Sequence, residues 1–271
     1  MKQIILLYLL CISTNIAFGG VDTVQVYSEA MDQTIPNLVI TPKDYTEQND
    51  ELPVTYLLHG AGGYFSNWFF RVPEIKQYAT DYNMIIVCPD GDKTSWYIDS
   101  PIDSTSQYES YITRELVPAI DQKYRTIKQK NGRAITGLSM GGHGAFYLAF
   151  RHQDIWGAAG SMSGGVNIIP FAEEWNMDEI LGPYHQFKKN WEDHTVINLI
   201  HLLNGDLKII FDCGTEDFFA DVNKELHEKL VIEGIPHEYT VRPGKHNWDY
   251  WRNSIKYHLL YFDDFFKNPL N

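Results

Sequence analysis

The chain has 271 residues, 44% of them hydrophobic and 21% charged, which suits one globular domain with a sizeable core. A formal net charge of -13 argues against nucleic acid or an anionic membrane surface as partner. Three cysteines in a chain of this length argue against a disulfide-stapled fold.

The first residues read Met1-Lys2-Gln3, then a nearly continuous apolar run from Ile4 to Phe18, then Gly19-Gly20. A positive start, a short apolar stretch and small residues at Ala17 and Gly19 describe a signal peptide over 1–19. The remaining 20–271 is then one secreted or periplasmic domain. The alternative is an N-terminal anchor, for which the apolar run is short. Cys11 lies inside that run and follows Tyr8-Leu9-Leu10, so lipidation is not expected. Cys88 and Cys213 each close a predicted strand. They read as buried free thiols, with a single bridge as the alternative.

Val21 to Tyr27 and Asn37 to Thr41 predict two early strands separated by polar turn residues. Further apolar runs follow at Val54–Leu58, Met84–Val87, Arg133–Thr136, Ala158–Met162, Leu207–Phe211 and Glu238–Val241. Helical spacing lies between them. Ile112, Leu116 and Ile120 recur every four residues. Val222, Leu226 and Leu230 do the same, and Gly234 stops that helix. Trp248 to Phe266 predicts a final aromatic-rich helix. Short apolar runs alternating with helices predict an α/β fold, with a mostly parallel central sheet covered on both faces. The stretch 167–206 breaks this rhythm. It reads as an inserted, lid-like segment, or equally as a further helix pair on the sheet.

The chemistry concentrates at Gly137-Leu138-Ser139-Met140-Gly141, a Gly-x-Ser-x-Gly motif between an apolar run and a helical one. A serine on such a strand–turn–helix bend sits exposed at the sheet edge, at the positive end of a helix. A serine hydroxyl is a weak nucleophile, so it needs a base and a group that orients the base. In a fold of this class these follow in the order serine, acid, histidine. His246 lies in the loop after the last predicted strand. The loop Asp212-Cys213-Gly214-Thr215-Glu216-Asp217 offers the acid: Asp217 first, then Asp212, which could instead brace the loop, then Glu216. The oxyanion donors would be the backbone N–H of Met140 and one from His59-Gly60-Ala61-Gly62-Gly63. His59 and His143 read as packing or loop-shaping residues. No phosphate loop, dinucleotide fingerprint or metal-ligand spacing occurs, so no cofactor and no metal is expected.

Tyr56-Leu57-Leu58-His59-Gly60, Pro89-Asp90-Gly91, Ser95-Trp96-Tyr97, Leu138-Ser139-Met140-Gly141-Gly142, Gly214-Thr215-Glu216-Asp217 and Gly244-Lys245-His246-Asn247-Trp248 together resemble the esterase family of α/β-hydrolases. That family includes S-formylglutathione hydrolases, tributyrin esterases, feruloyl and acetyl-xylan esterases, and mycolyltransferases of the antigen 85 type. The resemblance spans nearly all of 20–271. It implies Ser139 as nucleophile, Asp217 as acid and His246 as base, with Ala61 and Met140 giving the oxyanion N–H groups. Family members often carry leucine where Ala61 stands. The run Ser95 to Pro101 is closest to the tributyrin and carbohydrate-esterase branch.

The resulting expectation is a serine carboxylesterase for short acyl esters, acetyl or feruloyl groups on carbohydrate in particular. Trp96, Tyr97 and Trp248 are candidates to line its substrate site, with ordinary aromatic core as the alternative. An acyltransferase would carry the same motif, and a non-catalytic carbohydrate-binding protein could share the fold.

Overall fold

The computed structural model describes residues 20–268, so the signal-peptide reading of 1–19 lies outside the described residues. Eight strands form one sheet in the order β1-β2-β4-β3-β5-β6-β7-β8. The first hairpin, β1 (Val21–Ser28) and β2 (Gln33–Ile40), is antiparallel, and β2 runs antiparallel to β4 (Ile85–Pro89). From there β3 (Val54–Leu58), β5 (Arg133–Gly137), β6 (Ala158–Met162), β7 (Lys208–Gly214) and β8 (Glu238–Arg242) are all parallel. Every residue of β3, β4, β5 and β6 is buried. That explains why these strands read as unbroken apolar runs: helices cover both faces, so no polar alternation is needed.

Two short helices, α1 (Asn67–Arg71) and α2 (Ile75–Asp81), follow β3. After β4 comes a longer helix of three parts. It comprises α3 (Tyr108–Ser110), a π-helical stretch Tyr111–Leu116, and α4 (Val117–Lys123). Helix α5 (Met140–Arg151) leaves β5 and is buried along almost its entire length. The segment 167–206 holds only short pieces, among them α6 (Asp178–Leu181) and α7 (Lys188–Asp193). Helix α8 (Ala220–Ile232) buries Val222, Leu226 and Leu230, and α9 (Trp248–Lys267) closes the fold.

Alternate residues of each central strand feed opposite sides of the sheet. Tyr56 and Leu58 join the core under α5, whereas Leu57 joins the one under α1, α2 and α9. Burying each such side chain contributes roughly 1.5–3 kcal/mol. Cys88 on β4 and Cys213 on β7 are buried free thiols with β3, β5 and β6 between their strands. Burial pushes both thiols up, which leaves them unreactive at neutral pH.

The strand order reverses between β3 and β5, and a ligand crevice forms outside the carboxyl ends of strands at such a switch point. The chain leaving β3 passes through Gly60 and Ala61 there, and the chain leaving β5 turns at Ser139.

Candidate active site

Ser139 sits between β5 and α5 with φ +55° and ψ -119°, a conformation that a non-glycine residue rarely adopts. The surroundings hold it there. Its N–H donates to the Met162 carbonyl at 3.0 Å, and its own carbonyl accepts from the His143 N–H at 3.0 Å. The bend also needs room. A Cβ on Gly141 would lie 2.5 Å from the His59 carbonyl oxygen and 2.7 Å from that of Leu58, both fixed backbone atoms. The glycine therefore permits the helix start to press against the end of β3.

Two further loops converge on this bend. Thr215 N–H donates to the Arg242 carbonyl and Glu216 N–H to the Gly244 carbonyl, both at 2.9 Å, so the loops after β7 and β8 are tied together. At the α9 end, Asn247 caps the helix by accepting from the Tyr250 N–H at 3.1 Å. His246 is thereby placed between Ser139 and Asp217. Its Nδ1 lies 2.9 Å from Asp217 Oδ2 and 3.0 Å from Oδ1, and its Nε2 lies 2.9 Å from Ser139 Oγ. A carboxylate only accepts, so the ring proton belongs on Nδ1. The Nε2 lone pair then accepts the serine hydroxyl. Asp217 has no exposed side-chain surface, and its Oδ1 also accepts from the Phe219 N–H at 2.9 Å. Phe218, Phe219 and Trp251 pack on the imidazole at centroid distances of 4.2, 5.5 and 4.9 Å.

The other two acids lie elsewhere. Asp212 is buried on β7, facing His258 Nε2 at 3.1 Å, Arg242 at 3.2 Å and the Ser254 hydroxyl. Burial alone would raise its carboxyl, but these partners outweigh burial and hold it below the usual range. Glu216 is exposed and pairs with Lys245.

The loop after β3 lies against the serine: a Cβ on Gly60 would sit 3.2 Å from the Ser139 Cβ. Among the described residues, the backbone N–H groups of Ala61 and Met140 have no acceptor within the protein. Buried His59 fixes this loop. Its Nε2 accepts from the Gly91 N–H at 2.9 Å, and its Nδ1 lies 2.9 Å from the Gly60 carbonyl. Accepting at Nε2 requires the neutral ring, and burial lowers the histidine in that direction. Among the described residues no cluster of three metal-ligating side chains occurs.

A cleft of about 660 Å³ opens over Ser139, walled by Tyr64, Trp175, Phe218, Trp248 and Trp251. Trp248 is among its lining residues. Trp96 and Tyr97 are not. They are 2% and 0% exposed. Both residues take positive φ, +53° and +59°, which turns their side chains into the protein. The Tyr97 hydroxyl meets the His59 backbone, accepting from its N–H at 3.1 Å. Trp96 packs against His143 and beneath Trp175, at 5.2 and 5.8 Å. The two residues support the loop after β3 and the aromatic wall from behind. Trp175 belongs to the inserted segment that the sequence suggested as a lid or pocket wall. Sequence reasoning missed Phe218, Tyr64 and Arg71 as lining residues, and the signal for Phe218 was its place directly after Asp217.

An eight-stranded sheet of this order, with a serine on a strained strand–helix bend at the switch point, defines an α/β-hydrolase. The model of the family described as "Putative esterase" matches residues 28–262, and the chain belongs to that family. It is 27% identical over 235 residues to the esterase Rv1288 of Mycobacterium tuberculosis, covering 77% of this chain and 51% of that protein. The chain thus spans about half the length of that relative. It is 23% identical over 252 residues to an acetyl esterase of Caldicellulosiruptor saccharolyticus, covering 86% and 94% of the two chains. Among solved structures, a ferulic acid esterase superposes with a TM-score of 0.78 at 28% identity, over 91% of this chain and 98% of the other.

Proposed function

We propose that the protein is a serine carboxylesterase for short acyl esters, with acetyl and feruloyl esters of carbohydrate as its substrate class. The observation that carries this reading is the unbroken line from Asp217 through His246 to Ser139, beside two backbone N–H groups that have no acceptor among the described residues. Ser139 Oγ attacks the ester carbonyl while His246 Nε2 takes its proton, and Asp217 holds the imidazole and balances its charge. The Ala61 and Met140 N–H groups receive the tetrahedral oxygen. Each such donor contributes on the order of 3 kcal/mol to the transition state. The intermediate collapses, His246 returns the proton to the departing alcohol, and water repeats the sequence on the acyl-enzyme. The aromatic walls suit a planar acyl group or the apolar face of a sugar. The names of an acetyl esterase and a ferulic acid esterase among the similar proteins support the same substrate class. With 1–19 read as a signal peptide, the reaction takes place outside the cytoplasm.

A panel of 4-nitrophenyl acetate, butyrate and octanoate beside acetylated and feruloylated xylan tests the reading. Turnover that falls with acyl length, with release of acetate or ferulate, is the expected result. No turnover of any member would overturn it.

A further inference from the structure

The cleft over Ser139 is depleted in charge of one sign. The chain carries 35 acidic against 22 basic side chains, yet none of the fifteen residues lining the cleft is Asp or Glu. The one permanently charged lining residue is Arg71, the last residue of α1. Its guanidinium lies 5.9 Å from the centroid of the Trp248 ring. That ring is itself held edge-on by Trp68 at 5.1 Å and Trp251 at 5.5 Å, and the Trp68 indole N–H donates to the Leu58 carbonyl at 2.9 Å. Arg71 is exposed at the rim of the cleft, with its guanidinium beside this braced aromatic shelf.

Its natural local partner is already engaged. Glu74, three residues on, is gripped by Arg252, whose Nε donates at 3.1 Å with a second, shorter contact beside it. Among the described residues Arg71 forms no ion pair. An arginine fork keeps five donors in one plane and matches a carboxylate two bonds at a time. In a strongly acidic protein, an unspent arginine in a cleft without carboxylates sets the local preference for an anion.

The geometry points to selectivity for esters that carry a carboxylate on one half, bound by the Arg71 guanidinium beside the Trp248 face. This rests on the reading of the cleft as an ester-hydrolysing site and narrows its substrate class. The carboxylate belongs either to the acyl half, as in a half-ester of a dicarboxylic acid, or to the alcohol half, as in an acylated uronic acid or hydroxybenzoate. The shared chemistry is a single carboxylate within reach of the fork.

Two matched pairs distinguish these sources. For the acyl half, 4-nitrophenyl hydrogen adipate is compared with the neutral 4-nitrophenyl adipamate. For the alcohol half, 4-carboxyphenyl acetate is compared with 4-carbamoylphenyl acetate. The readout is the ratio of kcat/KM, anionic over neutral, within each pair. The wild-type ratio exceeds one in at least one pair, and Arg71→Met lowers that ratio about 5–10-fold, mainly through KM, as expected for one partly solvated charge-assisted contact. Arg71→Lys retains part of the preference. Raising NaCl from low to high concentration lowers the ratio for the wild type, which needs no variant to fold. A wild-type ratio below one in both pairs, a ratio insensitive to salt, or a ratio unmoved in a folded Arg71→Met protein would overturn the inference while leaving ester hydrolysis intact. Failure to hydrolyse the neutral members as well as the anionic ones would remove the underlying reading, and this inference with it.

Discussion

Replacing Asp217 by Asn removes one charge and almost no volume, yet the hydrogen bonds around it force a change of tautomer. Oδ1 of Asp217 accepts from the Phe219 N–H at 2.9 Å, so the asparagine must keep its oxygen there. Its amide NH2 then takes the place of Oδ2, 2.9 Å from His246 Nδ1. That NH2 is a donor, so Nδ1 must offer a lone pair and the ring proton moves to Nε2. Nε2 faces Ser139 Oγ at 2.9 Å and no longer accepts its proton. The expected loss in kcat is on the order of 10⁴, about 5.5 kcal/mol in the barrier, the size seen when a hydrolase triad is locked in the wrong tautomer. Asp212→Asn provides the contrast. It leaves the half-buried Arg242 and the buried His258 facing a neutral group and costs roughly 3 kcal/mol of stability, but touches neither His246 nor Ser139. Its kcat should stay within about tenfold of wild type. Steady-state hydrolysis of 4-nitrophenyl acetate, run beside circular-dichroism melts, separates the two effects. If Asp212→Asn lost more activity than Asp217→Asn in folded protein, the acid would be wrongly placed.

Two other consequences concern the scaffold. Gly141→Ala drives a methyl group against the carbonyls of Leu58 and His59, backbone atoms that cannot yield, so it should cost about 3 kcal/mol and lower Tm by roughly 6–12 °C; an unchanged melt would show that the elbow has slack. Buried Glu109 would be raised by desolvation, yet the bonds from His152 at 2.7 Å, Arg151 at 2.9 Å and Tyr147 at 2.8 Å bring it to about 2 from an ordinary 4.5. Because the folded value is the lower one, its contribution is present above about pH 4.5 and disappears as pH falls toward 2. Its full size is about 3 kcal/mol. Urea unfolding from pH 6 to pH 3 should therefore show a steeper loss for the wild type than for Glu109→Gln, and parallel slopes would refute the assignment.

Most of the sheet was legible because its inner strands are buried on both faces and read as short apolar runs. The elbow was legible because its tight bend requires glycine at fixed offsets from Ser139. The loops bearing Asp217 and His246 were legible from their places after strands. Most of the cleft wall was not. Trp175, Phe218 and Tyr64 come from three separate segments, and an aromatic residue looks the same in sequence whether it lines a cleft or fills a core. Trp96 and Tyr97 show the converse. They lie close to the site along the chain, but two consecutive positive φ angles turn their rings into the interior. No periodicity reports a conformation of that kind. The π-helical stretch Tyr111–Leu116 was equally invisible, since its apolar residues keep the spacing of an ordinary helix.

The central claim is that Ser139 is the nucleophile, and covalent capture tests it most directly. The protein is treated with a fluorophosphonate, which reacts with an activated serine, and the intact mass and peptide map are followed together with residual 4-nitrophenyl acetate hydrolysis. One adduct per chain, located on Ser139 and formed in proportion to lost activity, is the expected result. Ser139→Ala should take no label and retain about 10⁻⁵ to 10⁻⁶ of the wild-type kcat. A folded Ser139→Ala protein that still hydrolyses the ester at a comparable rate, or a stoichiometric adduct on another residue, would contradict the account.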